Sequence, residues 1–306
     1  MQAPNLRMPE SNLSGPFRSF CFFALALSLA FGKVLYDWVL FALDSELYSY
    51  VLLVPFVSAY LIWIRKGTIK VTRSPCRLHA IVPFAAALVV LGGFYVAESL
   101  GWSPVPVDYL AFHMLGFVLL LFAGAVFFFG FNTLLEVAFP VGFLIFMAPL
   151  PDAVLNGIVG LLQHWSADVA YLMLKISGMP TFREGTAFQL PGFNMNVAPQ
   201  CSGIHSTLVL FITSMIAAYL FLKRPWTRAT LALAVLPLAL LRNGFRIFVI
   251  GQLCVQISPD MINSYIHRKG GPIFFALSLI PFFFLLVLLR KTESKKKPLP
   301  RLETLT

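Results

Sequence analysis

Charge is what this 306-residue sequence has least of: Asp, Glu, Lys and Arg make up 12% of it, against 58% hydrophobic residues. A soluble domain carries about 25% charged residues, so the composition excludes an ordinary soluble fold and predicts a polytopic membrane protein. Acid is scarcer than base, 13 residues against 23. Cysteine is scarce too. Cys21, Cys76, Cys201 and Cys254 are too few and too scattered for a disulfide framework, and no CxxC spacing suggests zinc. No metal or cofactor is expected. The bases sit beside apolar runs, at Arg65-Lys66, Lys223-Arg224 and Lys295-Lys296-Lys297, a placement that suits the anionic inner leaflet. Aromatic and basic residues do not interleave as in a nucleic-acid site, so membrane lipids are expected as partners and nucleic acid is not.

What is abundant is apolar length. Runs able to cross roughly 30 Å of hydrocarbon occupy residues 19–43, 48–64, 79–97, 109–129, 133–148, 203–222, 229–256 and 272–290. The expected fold is therefore all-α and polytopic, with about eight transmembrane helices. A further stretch, 153–176, is interrupted by Asn156, Gln163, His164, Asp168 and Lys175. The loops holding Arg65 to Arg77 and Lys223 to Arg228, and the tail after Arg290, carry most of the basic residues, which assigns them to the cytoplasm. Only an even number of crossings between the two loops keeps both inside, so 153–176 reads as an interfacial or re-entrant amphipathic segment. A polar-lined span is the alternative. The expected organisation is a cytoplasmic segment 1–18, a transmembrane domain 19–290 and a basic cytoplasmic tail 291–306. With no A-x-A site after the first apolar run, that run reads as a retained span rather than a cleaved signal.

This topology puts 149–202 and 257–271 on the outer face. There Ala187-Phe188-Gln189-Leu190 and Phe193-Asn194-Met195-Asn196-Val197 alternate in polarity around Pro191-Gly192, the pattern of a small β-hairpin. The hairpin delivers Cys201 to the start of a helix. A cysteine at the first turn of a helix faces unpaired backbone N–H groups and the positive end of the dipole, which favour negative charge. Gly203 permits close approach of another backbone or a substrate, and Ser202 and Ser206 offer hydrogen bonds nearby. A lone cysteine is nonetheless more often a small buried residue than a nucleophile.

Partners strengthen the case. Leu241-Arg242-Asn243-Gly244-Phe245-Arg246-Ile247 places two arginines and an asparagine inside an apolar span, where a guanidinium costs at least ~2.5 kcal/mol on insertion scales. Arg242 and Arg246 are four apart and share a helix face. Counted from Arg228 at 1.5 Å per residue, Arg246 lies about 27 Å along the span, near the outer surface and level with Cys201. A bland alternative has Arg246 snorkelling or pairing with a lipid phosphate. Two histidines compete as base: His267, in the outer loop before the last span, and His205, four residues after Cys201 on the same helix face and able to approach it directly. Spacing alone does not separate them. His79 lies at a cytoplasmic end, and His113 and His164 could line the bundle without metal spacing.

Cys201-Ser202-Gly203, then Asn243-Gly244-Phe245-Arg246-Ile247, then His267 before a glycine pair and an aromatic-rich span together resemble the exosortase and archaeosortase family of membrane-embedded cysteine transpeptidases. Met147-Ala148-Pro149-Leu150-Pro151, Ser177-Gly178-Met179-Pro180 with Glu184-Gly185, and Tyr48-Ser49-Tyr50 with Val54-Pro55 extend the likeness over nearly the whole chain. The resemblance implies a catalytic set that maps onto Cys201, Arg246 and His267. It thereby selects His267 over His205, which occupies a position where the family often has other residues; from their places beside the set, Asn243, Ser202, Gly203 and His205 are expected to support it. It implies a bacterial exosortase of the inner membrane, with its active site on the outer face. The implied substrates are secreted proteins whose C-terminal sorting tail joins a Pro-Glu-Pro type (PEP-CTERM) motif, a transmembrane helix and a basic cluster. Tyr48 and Tyr50 replace the more usual Ser-His-Gly.

The expected chemistry is cleavage of the tail by the Cys201 thiolate and transfer of the protein to an acceptor through a thioester. The rival is a transporter or lipid-handling protein that binds an anionic headgroup through Arg242, Arg246 and His267. That reading does not account for a cysteine at the same depth. A purely structural scaffold accounts for none of the outer-face polar residues.

Overall fold

The computed structural model describes residues 14–67, 77–264 and 270–295. The polar N-terminus, most of the basic loop before Leu78 with Cys76, the segment 265–269 with His267 and most of the C-terminal tail lie outside them. The chain divides into two compact units, Met1–Val154 and Leu155–Thr306. Helices dominate both, and a three-stranded antiparallel sheet completes the second.

In the first unit the apolar run 19–43 is broken at Phe31 into α1 (Ser14–Ala30) and α2 (Gly32–Asp44), whose axes differ by 74°. A 3-10 turn, Ser49–Leu53, leads into α3 (Val54–Arg65), which has proline in its first turn, where the missing N–H is harmless. The pair α4 (Ile81–Ser99) and α5 (Pro106–Phe129) follows. Without a hydrophobic drive between helices in lipid, small residues govern approach. A Cβ on Gly116 would stand 2.6 Å from Leu91 Cδ2, and one on Gly124 2.2 Å from Phe23 Cε1. These two glycines let α4 and α1 pack on α5.

Gly130, at φ +81, ends α5, and the apolar stretch that follows is not one span. It divides into α6 (Phe131–Glu136), α7 (Ala138–Phe143) and a 3-10 turn, Leu144–Met147. Three side chains hold the loop beyond. Trp38 Nε1 donates to Met147 O at 2.8 Å, Tyr48 Oη donates to Leu150 O at 3.2 Å, and Asp108 Oδ1 accepts from Asp152 N at 2.8 Å. His113 is buried, with Nδ1 2.8 Å from Tyr109 O and Nε2 3.0 Å from Tyr95 Oη.

The second unit holds most of α8 (Asp152–Ile176), the amphipathic helix expected over 153–176. Asn156, His164, Asp168 and Lys175 are exposed, while Ala167, Ala170 and Leu174 are fully buried. The hairpin is present as β2 (Ala187–Leu190) and β3 (Phe193–Asn196), with Gly192 at φ +72 in the turn. A further strand, β1 (Phe182–Glu184), pairs with β2 in the order β1-β2-β3. Phe188, Leu190 and Met195 point from the sheet into a core shared with α8 and with Ile247, Ile250 and Cys254 of α10 (Pro225–Gln256). Helix α9 (Ile204–Phe221) and the last helix, Gly271–Lys295, pack on α10 through Leu210, Ala217, Leu231, Val235 and Phe282.

Among the described residues, five helices are long and apolar enough to cross a membrane, or up to seven if each of two bent pairs counts as one span. The eight expected from hydropathy included 48–64 and 133–148. The α-helical part of the first is 12 residues, about 18 Å at 1.5 Å per residue and short of ~30 Å of hydrocarbon. The second is interrupted within the short pieces above and joins a bent pair with α8.

Candidate active site

The site is built where β3 runs into α9. After Asn196 the chain makes a 3-10 turn, Pro199–Cys201, closed by Cys201 N donating to Ala198 O at 2.8 Å. Gly203 then adopts φ +77 and caps α9, which starts at Ile204. Cys201 therefore sits two residues ahead of the helix cap rather than in the first helical turn. The expectation that it shares a helix face with His205 is overturned by the same left-handed turn, and His205 itself is exposed. Ser202 is 1% exposed, its hydroxyl without a hydrogen-bond partner among the described residues.

Two neighbouring side chains of α10 hold this turn. Asn243 Nδ2 donates to Cys201 O at 2.9 Å. Arg242 Nη2 donates to Gly203 O and to Thr207 Oγ1, both at 3.3 Å. Gly203 O also accepts from Thr207 Oγ1 at 2.8 Å, Thr207 N at 3.0 Å and Ser206 Oγ at 3.1 Å. That crowding of donors on one carbonyl binds the start of α9 to the middle of α10. The positions are tight: a Cβ on Gly203 would lie 3.1 Å from Asn243 Cγ and Oδ1 and 3.2 Å from Arg242 Nη2. Glycine is thus needed twice, for the positive φ and for the approach. From the other side, the Gln163 amide of α8 donates to Val197 O and fixes the strand end that leads to Cys201.

Cys201 and Arg246 line one cavity of about 210 Å³, with Met195, Asn196, Val197 and Ala198 along one wall and Ile247, Ile250 and Ile262 along the other. The thiol is half-buried, and among the described residues the guanidinium is the cation of an otherwise mostly apolar enclosure. At low effective dielectric a fixed cation acts strongly on a nearby developing negative charge. Gly244 lets α10 come close to α8, since a Cβ there would be 2.5 Å from Val169 Cγ1. Among the described residues no three His, Cys, Asp or Glu side chains gather as a metal site would require.

Cys201 and Arg246, which the count along α10 set at one level, line the same cavity. Sequence reasoning missed the wall from Met195 to Ala198, the grip of Arg242 on Gly203 O and the Gln163 amide. A polar Gln163 beside the buried face of α8 was the one available signal.

The chain matches the family model described as transmembrane exosortase over residues 38–284, a span that takes in Cys201, Asn243, Arg246 and His267. Among curated proteins none matches, and among solved structures none does. The family match covers well over half of the sequence and runs through both the helical bundle and the cysteine site, so the chain belongs to the transmembrane exosortase family, whose members are membrane protein-sorting transpeptidases.

Proposed function

We propose that the protein is a membrane-embedded cysteine transpeptidase of the bacterial inner membrane, acting on its outer face. It removes the C-terminal sorting tail of secreted proteins bearing a Pro-Glu-Pro type motif. The observation that carries the reading is the single cavity shared by the Cys201 thiol and the Arg246 guanidinium.

The Cys201 sulfur adds to the carbonyl carbon of the motif as its proton passes to His267. Arg246 stabilises the oxyanion; losing one such donor raises a barrier by ~2.7 to 4 kcal/mol. Collapse breaks the C–N bond, His267 returns the proton to the departing amine, and the protein stays on Cys201 as a thioester. An acceptor nucleophile, deprotonated by His267, then adds to the thioester and expels the thiol. The role of His267 rests on its position in the sequence and on the family likeness, as it lies outside the described residues. Asn243 and Gly203 position the nucleophile.

The test is co-expression with a substrate carrying a Pro-Glu-Pro type tail. Tail removal by the parent, and none by Cys201→Ala or Cys201→Ser, is the expected result. Undiminished removal by Cys201→Ala would overturn the reading and favour an anionic-headgroup binder.

A further inference from the structure

The cavity beside Cys201 is too small to hold a peptide. At about 210 Å³ it falls below the ~300 Å³ at which ordinary small-molecule pockets begin. It takes a side chain or two, and the rest of an extended substrate segment must be held outside it. The sheet offers the means.

Val197 N donates to Thr186 O at 3.0 Å, and β2 pairs with β3 in the register Phe188 to Met195 and Leu190 to Phe193. Antiparallel ladders alternate hydrogen-bonded and non-bonded pairs. The odd-numbered residues of β3 therefore spend their backbone groups on β2, and Asn194 and Asn196 turn their N–H and C=O the other way. Among the described residues β3 is the last strand in the order β1-β2-β3, so these groups form an edge. That edge leads into the catalytic cavity, whose wall is Met195, Asn196, Val197 and Ala198 in succession. Open strand edges are templates for pairing with another chain, and an extended peptide is what a protein-sorting transpeptidase must hold.

We propose that the segment around the scissile bond binds by strand addition, as a fourth strand on the Asn194–Asn196 edge of β3. Main-chain hydrogen bonds carry this recognition and alternate side chains face the cavity. Resting on the proposed cysteine chemistry, the inference adds how the carbonyl is brought to Cys201: the edge fixes the register of the peptide, and the mostly apolar wall around Arg246 receives the side chain nearest the scissile bond.

Proline tests the edge because it deletes an N–H and is tolerated where that N–H is not used by the sheet. In membranes holding the full chain, Asn194→Pro and Asn196→Pro are each expected to lower kcat/KM for tail removal at least tenfold, mainly through KM. Alkylation of the Cys201 thiol should stay within twofold of the parent. A second measurement needs no turnover. In Cys201→Ser protein carrying Asn196→Cys, single cysteines are walked through six successive substrate positions and oxidised. Side chains of a strand alternate between faces, so cross-links should appear at every other position. Tail removal within twofold of the parent by both proline variants, or equal cross-linking at adjacent positions, overturns the proposal. If a proline variant also slows alkylation, the cross-link pattern decides. Full cleavage by Cys201→Ala would instead overturn the cysteine reading, a result the cross-link pattern does not depend on.

Discussion

Asn243 donates its side-chain amide to the backbone carbonyl of Cys201 across 2.9 Å, from a position only 2% exposed. The bond joins residues 42 apart in sequence and anchors the turn that carries the thiol to the middle of α10. Arg246, three residues further along the same helix, reaches the same cavity. One helix thus supplies both the anchor for the nucleophile and the cation beside it.

Removing that anchor should disable the site more than the fold. In Asn243→Ala the carbonyl of Cys201 loses its donor in a buried setting, a change of about 1 to 3 kcal/mol. Expected is a fall in tail-removal rate of about tenfold or more, with protein in the membrane within twofold of the parent. Asn243→Asp should fare no better, because a carboxylate has no N–H to give. Rates in membranes normalised to immunoblotted protein provide the check. Parent-like turnover in both variants would show that the bond is incidental.

Gly203→Ala meets two obstacles at once. An L-residue in the left-handed region costs roughly 1 to 2 kcal/mol, and the new Cβ would press on Asn243 and Arg242 at 3.1 to 3.2 Å. Both side chains that hold the turn must shift. The variant should lose cleavage and show a lower apparent Tm in detergent. Ser202→Ala next to it removes only a hydroxyl with no partner among the described residues, so its Tm should match or exceed that of the parent.

The contrast between these neighbours shows what the sequence makes legible. Period-two alternation around Pro191-Gly192 announced β2 and β3, whereas β1, at three residues, is too short to display a period. Depth arithmetic at 1.5 Å per residue brought Arg246 level with Cys201 because α10 is a continuous helix of 32 residues through Pro237. The four-residue spacing failed for His205, since it assumed a helix at Cys201 and the left-handed Gly203 interrupts one. Hydropathy gave no sign of the breaks within 48–64 and 133–148 for a related reason: it measures apolar content, not continuity of the backbone. The grip of Arg242 on Gly203 O depends on that same turn and has no signature in spacing.

In the first unit, Asp108 accepts from Asp152 N at 2.8 Å and so caps α8 from another helix. A capping carboxylate contributes about 1 kcal/mol, more when buried, and Asp108 is 7% exposed. Asp108→Ala should therefore lower the apparent Tm in detergent by a few degrees. Asp108→Asn keeps an oxygen acceptor and should recover most of the loss. Thermal unfolding followed by circular dichroism separates the two; equal Tm values for all three proteins would remove Asp108 from the account of the loop 147–152.

The two histidines that spacing could not separate should now part company. His205 is an exposed second residue of α9, and the turn at Gly203 takes away the helical relation to Cys201 that made it a rival base. His205→Ala is expected to keep tail removal within about threefold of the parent. General acid–base catalysis contributes ~10²- to 10⁴-fold, so His267→Ala should fall by at least a hundredfold. Its deficit should be larger when the leaving amine must be protonated than with an activated thioester-forming substrate whose leaving group needs no proton. Side-by-side rates for the two variants on both substrates make the comparison. A severe loss in His205→Ala with a mild one in His267→Ala would exchange their roles, and would require the exposed imidazole to swing over the Gly203 turn to reach the sulfur.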